Sequence, residues 1–173
     1  SLLEQARALY EKIGDRHSVA VNWGTTGVAH WATGDWDVVI ADYERALEAR
    51  RAVEDRILEG RTLNGLGSAY FEKGDHTRAL DYYRQAVELR RKTGDATGLG
   101  TSLTYLGNTY QRTGRLVDAR TQFQEAIPIL ESLGRADQMI DLHVGLGNLA
   151  RSEERRVGNE CWHSRRSRRS PHH

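Results

Sequence analysis

Seven histidines, one cysteine and 24 carboxylates are the groups with which this 173-residue chain could do chemistry. Cys161, His163, His172 and His173 are zinc-ligand types, but their spacing matches none of the paired patterns that close a structural zinc site. Proton transfer needs groups that converge in a pocket, and His17, His30, His76 and His143 fall on different segments. His30 and His143 occupy packing positions and read as partly buried replacements for Tyr and Leu. Gly145-Leu146-Gly147-Asn148-Leu149-Ala150 has the glycine spacing of a dinucleotide-binding turn. That turn must join a strand to a helix, whereas this run lies inside a helical pattern. A phosphate loop, a His-Glu-x-x-His run and paired cysteine ligands are all missing from the sequence. The expectation is a protein with no catalytic residues, no metal and no cofactor.

Charge narrows the partners. Residues 151–173 hold seven of the 25 basic residues and three of the 24 acids, so the body carries 18 basic against 21 acidic residues. An acidic body does not suit nucleic acid, which requires clustered cations. Glu48, Arg50, Arg51, Glu88, Arg90 and Arg91 are expected on a solvated helix face. No apolar run approaches the roughly 20 residues of a membrane span. A body without cysteine fits a reducing cytoplasm. The first residue is Ser, which suggests a fragment of a longer reading frame, and 22 Arg against 3 Lys suggests GC-rich, bacterial codons.

The elements that must position any site follow from self-similarity. Gly27, Gly67, Gly107 and Gly147 recur every 40 residues, as do Gly34, Gly74 and Gly114, then Tyr43, Tyr83 and Phe123, then Ala46, Ala86 and Ala126. A further series runs through Gly14, Glu54, Gly94 and Gly134. Leu63, Leu66, Gly67 and Tyr70 follow helical spacing, as do Ala79, Tyr83, Ala86 and Val87. Between them, Gly74-Asp75 combines a helix stop with a helix start. The unit is a helical hairpin, and the chain is expected to form helices near 1–13, 16–33, 36–53, 56–73, 76–93, 96–113, 116–133 and 136–152. Gly67, Gly107 and Gly147 fall inside helices, where Gly costs about 1 kcal/mol relative to Ala. Close approach of the paired helix, with Ala79 or Ala86 at the crossing, would offset that. In the seventh helix Pro128 should produce a kink, and Arg115 stands where a capping Asp is expected.

Leu66-Gly67, Tyr70, Gly74, Ala79, Tyr83 and Ala86, with Leu63 at a large packing position, resemble the tetratricopeptide signature. That unit has 34 residues. The unit of 40 resembles the longer variant of Pins/LGN-type adaptors, kinesin light chains and the arrays of bacterial transcription regulators and signalling ATPases. Leu63-Asn64-Gly65-Leu66-Gly67-Ser68-Ala69-Tyr70 and Leu106-Gly107-Asn108-Thr109-Tyr110 resemble that subgroup's Asn-x-Leu-Gly-Asn-x-Tyr run. The resemblance implies an all-α, right-handed superhelical solenoid of about 3.5 to 4 repeats over residues 1–150, with units near 16–55, 56–95 and 96–135 and partial units at each end.

It also implies a concave groove lined by the first helix of each hairpin. The lining positions are Trp31, then Arg61, Asn64, Ser68 and Phe71, then Thr101, Thr104, Asn108 and Gln111, and finally Asn148. Amides and hydroxyls there suit an extended peptide backbone, because an amide donates and accepts at once. Trp31 and Phe71 could anchor an apolar side chain. The bland alternative is that Trp31 packs on a further repeat and the asparagines only meet solvent.

A fifth unit would place Gly at 154, Ala near 159 and an aromatic residue at 163, but the chain has Glu154, Asn159 and His163. Arg151-Ser152-Glu153-Glu154-Arg155-Arg156-Val157-Gly158-Asn159-Glu160-Cys161 resembles the conceptual translation of a sequencing adapter, which has Lys in place of Asn159. Residues 151–173 are therefore expected to be an artefactual or disordered basic tail, the alternative being a tail that binds nucleic acid, acidic lipid or a metal. The functional expectation is a protein-interaction scaffold gripping a peptide or partner segment. Its rival is a ligand-sensing or regulatory segment with sister domains in a larger transcription regulator or signalling ATPase.

Overall fold

The computed structural model describes residues 1–167, with side chains for residues 1–140 and 142–157. It is all-α: α1 (Leu2–Ile13), α2 (Arg16–Trp31), α3 (Trp36–Ala52), α4 (Arg56–Lys73), α5 (His76–Thr93), α6 (Ala96–Arg112), α7 (Leu116–Ser132) and α8 (Ala136–Ser167). The local signals that start and stop these helices recur every half unit. Asp15, Asp35, Asp55, Asp75 and Asp95 each accept the amide proton of the third residue beyond, at 2.9–3.3 Å, satisfying a donor that the helix itself leaves unpaired. Arg115 provides no such bond at the start of α7, and Pro128 lies within that helix.

Each stop is a residue in the left-handed conformation. Glycine fills that place except at Glu54, the one non-glycine residue with positive φ among the described residues, at 54°. A side chain there costs about 1–2 kcal/mol, of which glycine's larger unfolded-state entropy returns part. Glu54→Gly is expected to raise stability by about 1 kcal/mol, read as a higher urea midpoint with an unchanged slope.

Helices α2–α3, α4–α5 and α6–α7 pair as antiparallel hairpins, and α3 packs on α4 as α5 does on α6. The chain is a right-handed superhelical solenoid whose core runs continuously from Val39 to Leu149. The repeated alanines are its tightest points: Ala46, Ala79, Ala86, Ala119 and Ala126 expose no surface.

The glycines inside helices serve a different contact from the one expected. A Cβ on Gly67 would stand 2.6 Å from the Tyr83 ring, one on Gly107 2.5 Å from Phe123, and one on Gly27 3.0 Å from Tyr43. It is the aromatic residue 16 positions on, not an alanine, that fills the space. Each ring then reaches the next unit, where Gly65 receives Tyr43 and Gly145 receives Phe123. Gly147 has nothing within 4 Å of its Cβ position, so the close-contact account does not extend to it.

Two further expectations are corrected. Arg50 and Arg90 are buried, at 7% and 4% exposure, while Glu48, Arg51, Glu88 and Arg91 do face solvent. Both arginines reach forward into the next unit. Arg50 donates to the Leu58 carbonyl at 2.8 Å and to the Thr62 hydroxyl, and Arg90 donates to the Gly98 carbonyl and, at 2.6 Å, to Ser102 Oγ. Room is made by glycine, since a Cβ on Gly60 would lie 3.0 Å from Arg90 Nε.

The second is the end of the last helix, expected near residue 152: α8 continues to Ser167. The stop position of the earlier units falls on Glu154, within α8, and no proline interrupts that helix. The side chains of Cys161 and His163, together with residues 168–173, lie outside the described residues. Among the described residues no helix is long and apolar enough to cross a membrane.

Candidate functional groove

The first helices of successive hairpins, α2, α4 and α6, together with α8, line two adjoining cavities. One, of about 520 Å³, is bounded by Trp31, Arg61, Asn64, Ser68 and Thr101. The other, of about 440 Å³, is bounded by Ser68, Phe71, Asn108, Gln111 and Asn148. Thr104 lines neither. It is buried, and its hydroxyl donates to the Gly100 carbonyl at 2.9 Å, so its place in the expected groove is corrected. Helical spacing puts residue 104 one turn from Gly100 and Asn108 on the same flank, but the hydroxyl is short enough to fold back on its own helix.

The remaining residues differ in how free they are. Asn64 is 7% exposed, and its Oδ1 accepts the Ser102 hydroxyl at 2.9 Å. Ser68 Oγ lies 2.8 Å from Tyr83 OH, whose phenol burial pushes well above its usual pKa. Gln111 donates to the Gly145 carbonyl at 3.4 Å. Asn148 is exposed and its Oδ1 accepts from Arg151. Phe71 is half-buried, with the His76 ring 5.1 Å away and the Arg112 guanidinium 5.8 Å above it. Trp31 packs edge-on against Trp36 at 5.1 Å across the turn that follows α2, and from there faces the first cavity.

Sequence reasoning missed the aromatic wall. Tyr105, 38% exposed, lines both cavities and leans on Tyr83 at 5.6 Å. The signal was available, because Tyr105 stands at the repeat position that carries Gly65 and Gly145. The carboxylates at the cavities are Asp95 and Glu72. Asp95 caps α6 through Oδ1 at 2.9 Å, and its Oδ2 lies 3.5 Å from Arg90 Nε. Amides, hydroxyls, rings and guanidinium groups dominate the lining, which equips the groove to hold a chain by hydrogen bonds and stacking.

The histidines remain apart. His30 is half-buried, its Nδ1 2.6 Å from Asp42, and it stands where later units have Tyr70 and Tyr110. His143 is exposed, not partly buried, because α8 has no following helix packed against it among the described residues. Gly145 and Gly147 lie inside α8, where no strand precedes them. Among the described residues no group of three or more His, Cys, Asp or Glu could hold a metal ion.

Residues 58–132 match the sequence profile of the tetratricopeptide repeat family. No curated protein matches the chain. Among solved structures, the TPR domain of Arabidopsis FLU is similar at TM-score 0.64 and 18% identity, covering 68% of this chain and 98% of that one. The STAND signal-transduction ATPase with a tetratricopeptide repeat sensor from Pyrococcus horikoshii gives TM-score 0.74 at 19% identity, covering 89% of this chain and 23% of its own. The Rap conjugation gene regulator of plasmid pLS20, solved with the Phr* peptide, gives 0.68 at 17% identity, covering 80% of this chain and 39% of its own. At these identities the likeness is one of fold: a tetratricopeptide-type helical solenoid.

Proposed function

We propose that the protein is a non-catalytic interaction module that holds an extended peptide or partner segment in its concave groove, with the asparagine and glutamine side chains meeting the ligand backbone. The observation that carries this reading is the pair of adjoining cavities from Trp31 to Asn148, lined by amides and aromatic rings. Such a surface offers paired donors and acceptors at intervals along a chain, with Phe71 and Trp31 as apolar anchors. The Rap regulator with its Phr* peptide, a solenoid of similar fold, adds support.

A displayed library of random peptides, selected on the immobilised protein, tests it. Selected peptides are expected to lose at least about tenfold in affinity for Phe71→Ala/Asn108→Ala, which corresponds to about 1.4 kcal/mol. They are expected to bind Glu88→Ala, altered on the solvated face of α5, as they bind wild type. Equal affinity for all three proteins would remove the groove from the function.

One observation favours a second reading, in which this segment senses a ligand for a larger protein: the chain corresponds to 23% of an ATPase whose array is named a sensor. A nucleotide-binding or DNA-binding domain in the same gene would favour that reading.

A further inference from the structure

Gly14, Glu54, Gly94 and Gly134 hold one place in the unit, the left-handed stop behind the second helix of a hairpin. α1 runs up to Gly14 and is therefore a second helix, and among the described residues no first helix pairs with it. α8 is the converse. It stands in register with the first helices α4 and α6, and among the described residues no second helix folds back on it.

Exposure marks the same two faces. Leu63 and Gly67 on α4 and Leu103 and Gly107 on α6 are buried under the second helix of their hairpin, whereas the equivalent His143 and Gly147 on α8 are exposed. A Cβ on Gly147 would meet nothing within 4 Å. On α1, Leu2 and Leu9 are exposed at 83% and 62%, while Ala49, Leu89 and Ile129, which share the place of Leu9, are half-buried.

Contacts inside the array identify which residues of the two bare faces correspond. Tyr83 fills the space at Gly67 and Phe123 the space at Gly107; on the bare faces those places belong to Leu3 and Gly147. Tyr70 stacks on Tyr82 at 5.4 Å, and His30 meets Asp42 at 2.6 Å; the matching places hold Ala150 and Leu2. A Cβ on Gly100 would lie 3.6 Å from Ile129; there α8 has Ile140, 65% exposed, and α1 has Leu9. All three pairs are apolar on both sides, although the first hairpin makes one of them from His and Asp. Burying such surface drives association.

From this register we infer that the bare face of α8 receives α1 of a second copy of this chain, so that the two helices complete a hairpin and the solenoid continues across the junction. Ile140 stands where α4 and α6 have Gly60 and Gly100, so the incoming helix rests on a side chain there instead of on bare backbone. Leu2 has the register of Asp42, inside α3, which starts at Trp36. The incoming α1 thus begins short of the turn, and α8 is free to run on to Ser167. Each partner contributes a different surface, so the contact is head to tail and leaves a free face at both ends of a pair. None of its six residues lines the two groove cavities, and the inference stands apart from the groove reading.

Sedimentation of the full chain against concentration tests it, in reducing buffer so that Cys161 cannot link copies. Wild type is expected to pass from monomer to dimer and longer species as concentration rises. Leu9→Glu on α1 and Ile140→Glu on α8 each spoil one face at an exposed site, so neither removes a core contact, and circular dichroism checks the fold. Each variant alone is expected to associate at least about tenfold more weakly, a change of about 1.4 kcal/mol. Mixed in equal amounts, they are expected to form dimers with wild-type affinity and to stop there, because one variant supplies an intact α8 face and the other an intact α1. Leu2→Glu, on the same face of α1, is expected to behave as Leu9→Glu does. A wild type that stays monomeric overturns the inference. So does a variant that associates as tightly as wild type, which would point to pairing of like faces, or a mixture no more associated than its parts.

Discussion

Gly107→Leu is expected to destabilise the solenoid by about 3 kcal/mol, toward the upper end of what overpacking a core costs. Phe123 is fully buried and held between Gly107 and Gly145, with only 2.5 Å and 2.9 Å between its ring and the two Cβ positions. Leucine gains up to about 1 kcal/mol of helix propensity over glycine, which the steric cost exceeds. The ring has no alternative site, because Ala119 and Ala126, which flank it on α7, expose no surface. Hydrogen exchange should show α7 and α8 losing protection before α3 and α4, since coupling in a solenoid passes only between neighbours. Gly147→Ala is the control of opposite sign: its Cβ meets open space, so stability is expected to rise by up to about 1 kcal/mol. Urea denaturation followed by circular dichroism reads both. A neutral Gly107→Leu would mean that the ring is not what the glycine accommodates.

Arg90→Leu is expected to cost about 3 kcal/mol. The loss strands the Gly98 carbonyl and the Ser102 hydroxyl and takes from Asp95 its buried partner, whereas the aliphatic gain is small because the stem of Arg90 is already enclosed. The repeat itself suggests the compensating change. Positions 50 and 62 hold Arg and Thr, 90 and 102 hold Arg and Ser, and 130 and 142 hold Leu and Leu. Leu130 and Leu142 are both fully buried, so one unit already uses an apolar version of the same junction. Arg90→Leu/Ser102→Leu is therefore expected to recover at least half of the loss, seen as a favourable coupling in a double-mutant cycle. Additive losses would show that the two positions are not one junction.

These junctions mark the boundary of what could be read from sequence. Helix limits were legible to within two residues, Ala136–Ser167 excepted, because a Gly stop followed by an Asp cap acts within a few residues of chain. The lining of the two cavities was legible as far as helical spacing alone decides exposure, which covers Arg61, Phe71 and Asn108. It failed where a side chain's fate depends on another helix. Arg90 looks solvated beside Arg91 until Ser102 and Gly98 on the following helix supply its partners. Thr104 was misread because a hydroxyl can bond to its own helix. The purpose of Gly107 was visible as a cost, but identifying Phe123 as its beneficiary required the helix pairing itself.

Tyr105 gives the array a property that no perfect repeat has. Identical units present a ligand with equivalent berths, and a chain bound in one could slip by a unit at no cost in energy. Tyr105 stands where Gly65 and Gly145 leave the neighbouring units open, with the cavity at Arg61 on one side of the ring and the cavity at Phe71 on the other. For a ligand held as proposed, the ring would lift that degeneracy, giving one whose groups straddle it a single frame of attachment.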